Sequence, residues 1–215
     1  EQLVKTSIEE EADVVFIGAG LPLKLPGTFS NEYWENKKTK VAVIVSSARA
    51  ANIIFKTWDK KYNCIPDAVV VEGPKAGGHL GFKTDQIKDP EYALESILPE
   101  VKSGLERYSE KYRKNIPIIA AGGIYSGQDI KNIFDVGADG VKMGTRFVAT
   151  HECDADEEFK KKFVDCEKDD LKIIKSPVGL PGRAINNNFL QKVAQGMKAP
   201  FTCPWKCLKT CDYKK

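Results

Sequence analysis

The stretch IPIIAAGGIYSGQDIKNIFDVGADGVKMGTRF, residues 116–147, decides the fold. It opens with a β-branched apolar run, breaks at Gly122-Gly123, passes through a short helical pattern over 126–137, and returns to an apolar run. Ser126 is placed to cap that helix and Gly137 to stop it. Strand, helix and strand within about 30 residues make a right-handed parallel crossover. The same pattern extends outward along the chain. Continuous apolar runs occupy 12–20, 40–47, 67–73, 116–124 and 139–147, as expected of parallel strands buried on both faces. Helical spacing of apolar residues fills 47–60 and 90–113, and SIEEEA before the first run also reads as helix.

Every run ends in small residues: GAG, SS, EG, AGG and GTR. Bare backbone at the carboxyl ends of parallel strands leaves room for a ligand there, in a barrel or in an open sheet. The α/β class follows directly. Five strands do not close an eight-stranded barrel, which takes about 250 residues. The expectation is a (β/α)8 TIM barrel with roughly three N-terminal strands missing from this chain. A five-stranded doubly wound sheet is the alternative. Residues 1–175 are expected to be the barrel part and 176–215 a loop and cysteine-containing extension packed on it. The stretch 176–189, with its two prolines and two glycines, is expected to hold no regular element.

Composition narrows the function. The 215 residues include 33 basic and 30 acidic side chains, a net charge of +3, with no concentrated basic face for nucleic acid. No apolar run approaches the roughly 20 residues of a membrane span. No signal peptide is visible, and a chain that begins at Glu1 reads as a fragment or a processed form. Six cysteines in a chain that is 42% hydrophobic favour a reducing cytoplasm over a disulfide scaffold. Cys203, Cys207 and Cys211 are spaced by four, which matches neither zinc pairs nor ferredoxin runs, and free thiols are expected rather than a metal site.

Two glycine motifs point to a phosphorylated ligand. Gly122-Gly123 follows a strand and precedes a helix, so its N–H groups can cradle an anion beside the helix N-terminus. Gly144-Thr145, about 20 residues on, offers another bare N–H and a hydroxyl, as phosphate loops of barrels do. Tight turns alone would be the plainer reading of these glycines. A third motif, VVVEGPKAGGHLGF (69–82), is expected to place Gly77, Gly78 and His79 at the end of a buried apolar strand. His79 suits general-base or donor chemistry near neutral pH, with a structural histidine as the alternative.

VEGPKAGGHLG, IPIIAAGGIYSG and ADGVKMGTRFVAT together resemble the nitronate monooxygenase family, also called 2-nitropropane dioxygenases. That family is similar to the flavin-dependent enoyl-acyl-carrier-protein reductases, and the likeness runs from GAGLP (18–22) to SPVGLPGRAI (176–185). The resemblance implies an FMN-binding barrel. It places the FMN phosphate at Gly122, Gly123, Gly144 and Thr145, with Met143 beside them, and Ala76, Gly77 and Gly78 along the ribityl chain or ring. His79 would face the reactive side of the flavin. The implied activity is oxidation of alkyl nitronates with O2 to a carbonyl compound and nitrite. The second possibility is reduction of an enoyl thioester with NAD(P)H, and the third a phosphate-ligand-binding module without turnover. A soluble small-molecule enzyme of the cytoplasm is implied, with a homodimer left open.

The remaining polar residues carry weaker expectations. Ser47 is read as a helix cap, Glu72 as a wall residue or an acid–base group, and His151 as solvated, with Asp154 or Asp156 capping the helix that follows. Arg183 is expected to meet either an anionic ligand or a surface carboxylate. The loop GAGLPLKLP (18–26) is either part of the substrate pocket wall or a plain rigid turn.

Overall fold

The computed structural model describes residues 2–18, 20–27, 29–176 and 179–197. In chain order the elements are α1 (Gln2–Glu9), β1 (Val14–Ile17), α2 (Asn31–Asn36), β2 (Lys40–Val45), α3 (Ala48–Tyr62), β3 (Ala68–Glu72), β4 (Gly78–His79), α4 (Leu94–Tyr112) and β5 (Ile118–Ala121). They continue as α5 (Gly127–Asp135), β6 (Gly140–Lys142), α6 (Thr145–Val148), α7 (Glu157–Val164), β7 (Leu171–Lys175), β8 (Pro181–Ile185) and α8 (Asn188–Ala194). They form two compact units. The first runs up to Gly73 and includes Asp89–Lys142; the second comprises Pro74–Lys88 and the described residues from Met143 onward.

The first unit is built on a parallel sheet of order β1-β2-β3-β5-β6. Its strands neighbour one another in chain order, without the reversal that defines a doubly wound sheet. The doubly wound alternative is thereby set aside. The order is that of successive (β/α) units, and the sheet does not close on itself among the described residues. Val41, Val43, Val69, Val70 and Val71 are fully buried, which accounts for the unbroken apolar runs. Outside them lies α4, whose Leu94, Ile97, Leu98, Val101, Leu105 and Tyr108 form one buried stripe. Phe55 of α3 meets Tyr108 of α4 at 5.3 Å between ring centres. The edge strand β1 is less covered, with Val14 46% and Phe16 53% exposed.

The second unit contains an antiparallel sheet of order β4-β8-β7. Two expectations fail here. The apolar run 139–147 is a strand only to Lys142, after which Thr145–Val148 turns into helix behind the N-cap Gly144. A short apolar run carries no period that could separate the two. The stretch 176–189 is not irregular: it contains β8 and the start of α8. Pro181 is tolerated because it is the first residue of its strand. Gly182 lies against β4, where a Cβ would sit in ordinary contact 3.4 Å from the Gly78 carbonyl oxygen.

Candidate functional site

In the first unit, register brings three strand ends to one level, with Glu72 of β3 opposite Ala121 of β5 and Ala121 opposite Lys142 of β6. Gly73 follows Glu72 and admits no side chain, since a Cβ would meet Leu94 Cβ at 3.0 Å. Its N–H donates to the Ala121 carbonyl at 2.9 Å. Gly122 and Gly123 have φ of 96° and 82°, a conformation that favours glycine, so turn geometry alone accounts for both. Beyond them α5 begins with a complete capping box. Ser126 Oγ accepts from the Asp129 N–H at 3.2 Å, and the Asp129 carboxylate accepts from the Ser126 N–H at 2.8 Å. Gly137, at φ 107°, ends the helix as expected.

Glu72 is half-buried at this level, and its carboxylate makes no hydrogen bond or ion pair with a described residue. Burial raises its pKa above the ordinary glutamate value, and the positive charge of Lys142 acts in the opposite direction. Neither the raised carboxyl nor its lysine neighbour can be read from the sequence, because strand register makes the pair.

In the second unit, the loop that leaves β3 at Pro74 carries Ala76, Gly77, Gly78 and His79. His79 is not at the end of the buried strand: β3 stops at Glu72, and His79 lies in the two-residue exposed strand β4. Antiparallel pairing sets Gly78 opposite Arg183 and His79 opposite Gly182, and the Leu80 N–H donates to the Pro181 carbonyl at 2.8 Å. Among the described residues Arg183 pairs with no carboxylate. Its Nη1 donates to the carbonyl oxygens of Pro74 at 2.7 Å and Ala76 at 2.9 Å. Burial lowers its pKa from the ordinary arginine value. No sequence signal marks this tie, because its partners lie 109 and 107 residues away along the chain. Also in this unit, Met143 and Gly144 precede α6, which opens at the exposed Thr145.

The glycines of these motifs sort by physical cause. Gly78 has φ of 74°, a backbone demand. Gly77 lies outside the left-handed region, and a Cβ there would meet no protein atom within 4 Å. Gly144 has φ of −118° and equally open space. Gly127, the first residue of α5 in the other unit, is the third of this kind. Neither strain nor packing explains glycine at these positions. The bare backbone at these positions leaves room for a bound ligand.

Other polar residues take structural roles. Ser47 caps α3 and Asp156 caps α7 through their side chains; His151 is exposed in a turn. The 18–26 loop is pinned by the Trp58 indole N–H on the Pro22 carbonyl at 2.7 Å and by the Tyr62 hydroxyl accepting from the Leu25 N–H at 3.2 Å. It also lines a cavity of about 190 Å³ with Val4 and Ile17. Among the described residues no three His, Cys, Asp or Glu side chains are grouped to hold a metal, and no helix is long and apolar enough to cross a membrane. Cys203, Cys207 and Cys211 lie outside the described residues.

The sequence profile of nitronate monooxygenase matches residues 1–212. The chain belongs to the nitronate monooxygenase family. A probable nitronate monooxygenase of Staphylococcus aureus strain Newman is 32% identical over 130 residues, covering 60% of this chain and 34% of that protein. The strain JH9 protein of the same description gives the same figures. Among solved structures, FabK from Thermotoga maritima superposes with a TM-score of 0.67 at 32% identity, over 90% of this family member and 52% of that chain. The enoyl reductase domain of MlnA from Bacillus amyloliquefaciens, at 17% identity and a TM-score of 0.60, shares the fold. The chain thus spans about a third of the curated relatives and half of FabK. The α/β class and its (β/α)8 pattern stand, with five consecutive parallel strands of that pattern present here.

Proposed function

We propose that this protein is an FMN-dependent oxidoreductase that oxidises alkyl nitronates with O2 to a carbonyl compound and nitrite. Membership of the nitronate monooxygenase family supports the reaction class. The observation that carries the cofactor is the open space at Gly77 and Gly144, where the fold itself has no use for glycine. In this reading Gly144 and Thr145 of the second unit meet the phosphate, with Met143 adjoining, and Ala76, Gly77 and Gly78 of the same unit lie along the ribityl chain and ring. FMN, when bound, supplies the electron-accepting ring, and the protein supplies orientation and electrostatics. His79 is exposed, and in this reading its imidazole takes or donates a substrate proton.

A second reading, reduction of an enoyl thioester with NAD(P)H, is supported by the likeness to FabK, which superposes with a TM-score of 0.67 at 32% identity. The two separate in one assay on the purified flavoprotein. Oxygen uptake with an alkyl nitronate, and none of NAD(P)H with an enoyl thioester, is the expected result. NAD(P)H oxidation that depends on the enoyl thioester moves the protein to the second reading. A preparation without flavin absorbance near roughly 450 nm removes both, and leaves a phosphate-ligand-binding module.

A further inference from the structure

Arg183 is half-buried and has no carboxylate within 4.0 Å among the described residues, yet it spends both hydrogens of Nη1 on main-chain oxygens. Those oxygens belong to Pro74 and Ala76, on either side of Lys75. No peptide bond among the described residues is cis. In a trans peptide the C=O and the N–H point in opposite directions. With the Ala76 oxygen turned to the guanidinium, the Gly77 N–H must face away from it. The same holds for the Pro74 oxygen and the Lys75 N–H. Neither N–H has a protein acceptor among the described residues, and the space beside Gly77 is open. A charge-assisted bond to a carbonyl also polarises its peptide, which strengthens the N–H at the other end as a donor.

We propose that Arg183 is a positioning residue, which holds the 74–79 loop so that the Gly77 N–H is presented as a polarised donor to the bound flavin. This rests on the flavin reading above. Arginine suits the task better than lysine because two hydrogens on one nitrogen grip two carbonyls at a fixed angle. The antiparallel pairing of Gly78 with Arg183 and the Leu80–Pro181 bond then carry the same alignment on to His79. A purely structural tie would hold the loop without altering the electron affinity of the ligand, and this is where the two roles part.

The test uses the full chain with Arg183→Ala and Arg183→Lys. In flavin-free protein, tryptic cleavage after the exposed Lys75 is expected to quicken by about tenfold in Arg183→Ala, the scale of losing hydrogen bonds to a charged group. In flavin-loaded protein, the flavin midpoint potential is expected to fall and kcat to drop by about tenfold with KM little changed, and free guanidinium to restore both in part. Arg183→Lys is expected to lie between wild type and Arg183→Ala. Wild-type cleavage and wild-type potential in Arg183→Ala would overturn the proposal. Faster cleavage with an unchanged potential would also overturn it, leaving a structural tie only. If Arg183→Ala does not fold, Arg183→Lys decides, and a wild-type potential there counts against the proposal. A wild-type protein that binds no flavin would instead defeat the proposed function, and would leave the cleavage result as the measure of whether Arg183 orders the loop.

Discussion

The parallel sheet of the first unit and the antiparallel sheet of the second are held by different forces. Val41, Val43, Val69, Val70 and Val71 are at 0% exposure, and α3 and α4 cover the sheet with apolar stripes. In the second unit Leu171 is 46% and Ile173 36% exposed, β4 has two residues, and its loop is tied by Arg183 and backbone pairing. Burial is non-directional and repeats along a strand; polar ties are few, directional and made between distant residues. The first kind of unit is stabilised collectively. The second can be redirected by one side chain, which suits a segment that meets a ligand.

Substitutions can break or sharpen this contrast. The largest effect is expected for Trp58→Ala, which empties a fully buried site and releases the Pro22 carbonyl. A loss of about 3–5 kcal/mol in denaturant unfolding is expected, against under about 1 kcal/mol for Ile173→Ala. Equal losses would erase the distinction. Gly77→Ala should weaken flavin binding by roughly tenfold, or about 1.4 kcal/mol, while leaving the melting temperature unchanged or slightly raised. Unaltered flavin titration of this variant would remove the close-approach argument for Gly77. Ser126→Ala, which opens the capping box of α5, should cost about 1 kcal/mol, read by thermal or denaturant melting.

The smallest effect belongs to Glu72→Gln and takes the form of a pH dependence. Burial raises the folded pKa of Glu72 above its ordinary 4.5, so the folded state binds its proton more tightly than the unfolded state does. Wild-type stability from this group is therefore present at acidic pH and declines as pH rises through the raised pKa. Glutamine carries no such decline. The variant should match wild type at low pH and exceed it at neutral pH in a series of melting curves. A deficit at neutral pH would mean that attraction to Lys142 outweighs burial.

Much of the first unit was legible because its signals are local. The runs around Val43, Val70 and Ile119 announce buried strands, Ser47 and Ser126 announce helix starts, and Gly137 a helix end. The second unit was misread for the complementary reason. Pro181 and Gly182 look like breakers until β4 and β7 are alongside, when both take their places in a paired strand. Gly144-Thr145 sits in a run whose apolar character suits strand and helix alike. His79 looked like the terminus of a buried strand because the turn at Pro74 and Lys75 leaves no periodic trace.

By itself, the sequence determined the α/β class, the helix caps and the family, because apolar period, capping chemistry and motif spacing act within a few residues of chain. Only the tertiary structure decided the strand order without reversal, the level shared by Glu72, Ala121 and Lys142, and the grip of Arg183 on Pro74 and Ala76. It alone also separated the glycines that the backbone requires from Gly77 and Gly144, which it does not. Those facts depend on register and on contacts across about 20 to 110 residues of chain, and a contact at that range leaves no mark on the residues next to it.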